Sequence, residues 1–191
     1  MSTELENATM PKPWKVLSSE VVLRTYGVTV HKDHVDLCNG KTIEEYHLFE
    51  FKEWVTVLPL TENREVVLVK QYRHGLGEII LEFPAGAIDH ENEAPLEAAQ
   101  RELVEETGYD TNDWLYLGSF SLGPSRIRNR FYLFLARNCQ KVGEQNLDEL
   151  EDIEVVKISY EQFEQLLNDG QIHDVDTALA WLLCKNKGLL T

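Results

Sequence analysis

Two nearly unbroken apolar runs, Trp54–Leu60 (WVTVLPL) and Val66–Tyr72 (VVLVKQY), constrain the fold of this chain more than any other feature. A strand with one face in water alternates apolar and polar side chains, whereas a fully covered strand reads as continuous apolar sequence. The runs therefore require a buried sheet. Between them, Thr61-Glu62-Asn63-Arg64 is a polar tetrapeptide of turn-forming character, which predicts a hairpin. With 191 residues, 43% of them hydrophobic, the chain can bury one respectable core, and its length demands no second full domain.

Alternation over Val21–Val30 and Glu44–Phe51 predicts half-buried strands in an N-terminal β-unit, with the first dozen residues as a polar, proline-punctuated lead-in. Further strands are expected at Ile79–Phe83, Tyr116–Phe120, Phe131–Ala136 and Ile153–Ile158. Helices are expected at Pro95–Thr107, Tyr160–Asn168 and Val175–Lys185, the last with Ala178, Trp181 and Leu182 as its core stripe. Mixed strands with few helices imply an α+β sandwich. The expected organisation is an N-terminal extension and β-strands over 1–50, followed by the main domain over 51–191.

Acidic residues outnumber basic ones 33 to 18, and a net charge of −15 disfavours attraction to nucleic acid or anionic membrane. An acidic protein that handles phosphates needs cations as mediators. The N-terminus lacks a basic stretch followed by an apolar run, and nothing approaches a membrane span of ~20 apolar residues. A soluble, unexported, cytoplasmic protein is expected. Cys38, Cys139 and Cys184 are odd in number and lack ligand spacing, so they read as packing residues in a reducing compartment. His34, His74, His90 and His173 share no ligand spacing either, and are expected as surface or satisfied residues. Trp54 and Tyr72 have the shape to stack on a nucleobase, although aromatic residues at strand positions more often belong to the core.

The segment with chemistry is Gly86–Tyr109, GAIDHENEAPLEAAQRELVEETGY. Pro95 suits a first helical turn, Leu96, Ala99 and Leu103 recur at helical spacing, and Gly108 fits the position just past the helix end. Glu102 and Glu106 lie four apart on one face with Glu105 beside them, opposite the stripe that anchors in the core. Like charges at that spacing cost a few tenths of a kcal/mol per pair, which Arg101 relieves only in part through its i,i+4 partner Glu105. A divalent cation relieves the rest. Magnesium takes hard oxygen ligands and keeps several waters, so such a face forms half a cage and a diphosphate supplies further oxygens. By itself, an EE pair on a helix is more often an ordinary solvated face.

The wider pattern resembles the Nudix box, written as Gly, five residues, Glu, seven residues, Arg-Glu, an aliphatic, any residue, Glu-Glu, any residue, Gly, aliphatic. Glu93 stands seven residues before Arg101-Glu102-Leu103, followed by Val104, Glu105-Glu106, Thr107 and Gly108, with Tyr109 replacing the final aliphatic. One departure lies between Gly86 and Glu93, which are separated by six residues instead of five. The resemblance implies a Nudix-type α/β/α sandwich with a mixed sheet. It also implies a Mg²⁺-dependent pyrophosphohydrolase, with Mn²⁺ as a possible substitute. Glu102 and Glu106 become the principal metal ligands, Glu105 a further ligand or organiser, Arg101 the residue that orients these acids, and Glu93 a support for the loop. The main-chain carbonyl used by the family maps onto Ala85.

Members of the family often take the water's proton on a glutamate of a late loop, and Leu147–Ile153 (LDELEDI) resembles the acidic stretch of ADP-ribose pyrophosphatases. Glu149 is the first candidate and Glu151 the second. Pro124, sixteen residues after Gly108, also resembles that subfamily, as do Gln71-Tyr72-Arg73 and Glu82-Phe83-Pro84-Ala85-Gly86. Arg73, Glu82, Pro124, Arg126 and Arg128 are accordingly the expected substrate contacts, although the arginines of that loop equally suit charge balance. The implied substrate is a nucleoside diphosphate sugar, ADP-ribose first, with GDP-mannose or another nucleotide sugar next and a non-catalytic nucleotide sensor as a third reading. Relatives pair through N-terminal strands, which implies a homodimer.

Overall fold

The computed structural model describes residues 11–89 and 92–190. The expectations for His90 and for most of the N-terminal lead-in lie outside the described residues. In chain order the elements begin with β1 (Lys15–Thr25), β2 (Val28–Asp36), β3 (Thr42–Phe51), β4 (Trp54–Pro59), β5 (Glu65–Arg73), β6 (Glu78–Glu82), β7 (Ala85–Ala87) and α1 (Pro95–Thr107). They continue with β8 (Tyr109–Asp110), β9 (Asp113–Phe120), β10 (Ile127–Arg128), β11 (Phe131–Arg137), β12 (Gln140–Lys141), β13 (Glu154–Ser159), α2 (Tyr160–Asn168) and α3 (Val175–Asn186). Two compact units result, one formed by the described residues through Phe51 with Gly123–Asn129, the other by Lys52–Leu122 with Arg130 onward.

In the N-terminal unit β1, β2 and β3 form an antiparallel meander, and β10 joins the β3 edge in parallel. The alternation expected as one strand over Val21–Val30 is instead folded back at Tyr26-Gly27, where Thr25 pairs with Val28 and Gly27 has φ +77°. A two-residue turn preserves the period of two on both sides, so alternation alone does not show the reversal. Val30, Asp33 and Val35 of β2 are buried, and the Ser19 hydroxyl donates to the Asp33 carboxylate. All eleven residues of β1 are exposed.

In the second unit, the hairpin expected from β4 and β5 does not form. β4 pairs with β7 and, in parallel, with β11, whereas β5 pairs with β6 and β13 in a separate sheet. A single bridge, Leu60 to Val66, links them at the turn. Both edges of each strand are already occupied, so the chain crosses between sheets instead of pairing with itself. The buried-sheet expectation holds. Val55 and Val57 of β4 and Val67 of β5 share a core with Ala98, Ala99 and Leu103 of α1. Their neighbours Leu58, Val66 and Leu68 share another with Phe163 of α2 and Ala180 and Trp181 of α3. Successive strand residues point to opposite faces; helices on both sides thus explain the continuous apolar runs and give the expected α/β/α sandwich. No helix among the described residues is long and apolar enough to cross a membrane.

The stripe expected on α3 needs correction. Leu182 is half-exposed, and the inner face is made by Asp176, Thr177, Ala180, Trp181 and Cys184. Hydropathy passes over Thr177, whose hydroxyl accepts the Phe83 N–H and so earns its burial. Cys139 and Cys184 are buried and free, their thiols pushed up to about 12 and about 11 by burial, while Cys38 is only partly covered. His173 lies beside Glu78 at 3.1 Å.

Candidate active site

α1 starts at Pro95, which needs no N–H there, and the Glu97 carboxylate accepts the Ala94 N–H. It ends at Gly108 with φ +70°, where the glycine N–H bonds to the Val104 carbonyl and a Cβ would collide with the Gly143 carbonyl. The extra residue before Glu93 leaves these boundaries intact. Ala98, Ala99 and Leu103 pin the helix to the core, and Glu102 and Glu106 belong to the same buried face, 8% and 3% exposed. The expectation of a carboxylate face opposite the core stripe is therefore corrected: the acids flank that stripe because they meet the backbone of β7. The Glu106 carboxylate accepts the Ala85 N–H at 3.0 Å. Glu102 lies so close to Gly86 that a Cβ there would overlap its carboxylate.

Arg101 organises the cluster more completely than its i,i+4 spacing suggested. Its guanidinium donates to Glu93 (2.8 Å), Glu102 (2.6 Å), Glu105 (3.0 Å) and the Ala87 carbonyl (3.0 Å). Glu93 in turn accepts the Asp89 N–H at 3.2 Å. Burial pushes the Glu102 carboxyl up to about 7 against the opposing pull of Arg101. Burial also raises Glu106, which the Ala85 N–H opposes and the neighbouring Glu102 charge reinforces. Two buried, mutually repelling carboxylates ionise together only beside a cation. Their oxygen donors fit a hard divalent ion. Among the described residues no group of three or more His, Cys, Asp or Glu side chains is arranged to hold a metal ion by itself.

The late loop is fastened to α1 by a residue that sequence reasoning missed. The Gln145 amide donates to the carbonyls of Glu106 (2.7 Å) and Ile153 (3.1 Å), and the Asn146 N–H donates to the Glu105 carbonyl. A lone glutamine in a polar loop carries no motif that could have flagged it. Within the loop, Glu151 is partly buried, accepts the Asp148 N–H at 2.9 Å, and its charge raises both Glu102 and Glu106. Glu149 is exposed.

A cleft of about 410 Å³ has Trp54, Arg73, Glu82, Ala85, Gly86 and Asp176 in its lining, and meets the box glutamates only through the β7 backbone that they contact. Arg73 is paired with the buried Glu82 at 2.8 Å, and burial raises the Glu82 carboxyl despite that partner. The other expected contacts belong to the N-terminal unit. Arg126 stacks 3.8 Å over the Tyr46 ring and donates to the His47 carbonyl, Arg128 reaches Glu50 at 3.4 Å, and Pro124 follows Gly123 in a turn. Tyr72 is 56% exposed. Asp176, also missed, was detectable as an acid inside an apolar helix stripe.

The fold packs two buried carboxylates of α1 against β7 in the unit that also holds a ligand-sized cleft. The model of the NUDIX domain matches residues 21–182. A methanol dehydrogenase activator from Bacillus methanolicus is 30% identical over 167 residues, covering 87% of this chain and 89% of that protein. An ADP-ribose pyrophosphatase from Bacillus subtilis (strain 168) gives the same identity and coverage. Among solved structures, an ADP compounds hydrolase superposes with a TM-score of 0.81 at 25% identity, covering 95% of this chain and all of the other. The chain belongs to the NUDIX family.

Proposed function

We propose that the protein is a Nudix pyrophosphohydrolase that cleaves the diphosphate of a nucleoside diphosphate sugar, ADP-ribose first, giving AMP and ribose 5-phosphate. The observation that carries this is the buried pair Glu102 and Glu106 on α1, the first held by Arg101 and the second by the Ala85 N–H. The names of the ADP-ribose pyrophosphatase and ADP compounds hydrolase relatives support the substrate class. A GDP-mannose pyrophosphatase from Escherichia coli (strain K12), 29% identical over 159 residues, supports GDP-mannose as the second reading. A sensor that binds without hydrolysis is disfavoured because every acid of the box is present.

Mg²⁺ is the proposed cation, with Mn²⁺ as substitute, neutralising diphosphate oxygens and acidifying a water when bound. Glu102 and Glu106 hold it with the Ala85 carbonyl, and Glu105 assists while fixing Arg101. Arg101 keeps the acids in register on α1. Glu151, partly buried and held by the Asp148 N–H, would take the water's proton in preference to Glu149, which is exposed. Arg73 orients a phosphate, with Glu82 setting the guanidinium plane. Pro124, Arg126 and Arg128 stay substrate contacts on the strength of the sequence resemblance alone. Residues 1–50 form a pairing unit for a cytoplasmic homodimer and 51–191 the hydrolase domain, a reading supported by the exposure of β1 on both faces.

Product analysis with Mg²⁺ tests the reading, offering ADP-ribose, other ADP-sugars, GDP-mannose, NADH and a nucleoside triphosphate in parallel. Preferential AMP release from ADP-ribose is the expected result. Preference for GDP-mannose moves the substrate and keeps the chemistry, while no turnover of any compound overturns the enzyme.

A further inference from the structure

The cleft contains parts that diphosphate chemistry does not call for. Asp176, 6% exposed in the first turn of α3, accepts the Trp54 indole N–H at 2.6 Å and stands 3.5 Å from the Thr56 hydroxyl. Both contacts use Oδ2. Oδ1 is buried with no hydrogen-bond partner, so this acid is kept at a cost that its own bonding does not offset. Its main connection is to the indole. Phe131 stacks on Trp54 with ring centroids 5.2 Å apart and planes 9° from parallel, which fixes the ring's tilt. The indole is thus held by its N–H, by one ring face and by its strand, yet it still lines the cleft.

The rest of the lining shows what such a ring would meet. Leu76 and Val175 are 57% and 51% exposed, and Leu122 is 42% exposed. Apolar surface left uncovered around a fixed aromatic ring suits a flat, apolar-faced ligand such as a base stacked on it. Carboxylates at Asp174 and Asp176 repel phosphate, which favours the neutral part of the substrate beside them and leaves the phosphates to Arg73 of the same lining.

We propose that this cleft takes the nucleobase of the substrate, stacked on Trp54, and that Asp176 is a positioning residue that holds the indole for it. The inference rests on the nucleotide-sugar hydrolase reading and assigns that reading's base subsite. Calorimetric binding of AMP, with GMP in parallel, is measured with metal chelated, so that binding is read apart from turnover. Trp54→Leu is expected to weaken nucleotide binding about tenfold or more. Asp176→Leu is expected to do the same and Asp176→Asn to recover to within roughly threefold, since an amide oxygen still accepts the indole N–H. Ribose 5-phosphate binding should be equally strong in the wild type and in each folded variant.

Wild-type binding of neither nucleotide overturns the subsite, as does a folded Trp54→Leu that binds like the wild type. Equal losses for ribose 5-phosphate and nucleotide overturn it too, and if Asp176→Leu does not fold, Asp176→Asn and Trp54→Leu still decide. Hydrolysis that proceeds while binding ignores Trp54 refutes only this subsite. Failure to hydrolyse any nucleotide sugar refutes the underlying function instead.

Discussion

Arg101 shows what a residue contributes when its neighbours come from three places in the chain. Sequence spacing gave it Glu105; the folded chain adds Glu93 from the preceding loop, Glu102 beside it and the Ala87 carbonyl of β7. Glu93 and the Ala87 carbonyl were illegible as its partners because loop closure, not helical periodicity, brings them to Arg101, whereas Glu102 was already among the acids that the family resemblance has Arg101 orient. Glu106→Gln should keep the fold but lower turnover by orders of magnitude, with added Mg²⁺ failing to restore it; near-normal steady-state rates would remove Glu106 from the site. Glu151→Gln should slow the chemical step by roughly 10²-fold or more while leaving metal affinity nearly intact. Glu149→Gln serves as its comparison, and a crippled Glu149→Gln beside an active Glu151→Gln would reverse the assignment. Gly86→Ala forces a methyl group into the space of the Glu102 carboxylate, so it should abolish activity in a protein whose far-UV circular dichroism is unchanged. Wild-type rates in that variant would mean that Glu102 is free to move away from β7.

At the scale of elements, the bounds of α1 were legible, from Pro95 to the glycine after Thr107, because their signals are local, a proline and a left-handed cap, whereas the burial of Glu102 and Glu106 was not. The β4 and β5 pairing was not. Two apolar runs around a polar tetrapeptide have the same sequence whether they pair with each other or with other strands, and only the partners β11, β7, β6 and β13 decide. The cap gives a prediction of its own. Gly108→Ala must hold a left-handed residue and press its Cβ on the Gly143 carbonyl, which should cost about 1–3 kcal/mol in urea unfolding. Since the next turn back carries Glu105 and Glu106, the same variant should bind divalent cation more weakly. A change in urea stability with cation affinity untouched would show that the cap and the carboxylates are mechanically independent.

For the whole molecule, the buried sheet followed from the continuous runs and the sandwich from the mix of strands and helices, but the return of Gly123–Asn129 to the N-terminal unit did not follow from either. Two residues, Ile127 and Arg128, make that strand, too few for any period to register. The exposed β1 predicts a concentration-dependent dimer by sedimentation, which Val22→Lys with Leu23→Lys should dissociate; a monomer at all concentrations would refute the pairing unit. Charge acts at this scale as well, because an acidic chain of net charge −15 also buries an acid that takes up a proton at mildly acidic pH. Burial pushes Asp176 up to about 6 from 3.8. The folded state therefore binds that proton before the unfolded chain does, so its stabilisation is complete below 3.8 and is lost as the pH rises through about 6. With metal chelated, the wild type should gain roughly 2 kcal/mol on Asp176→Asn as the pH falls across that window. Urea unfolding of the two proteins at matched pH values measures this gain directly, and curves that run parallel from pH 7 to 4 would show that the Asp176 carboxyl titrates alike in both states.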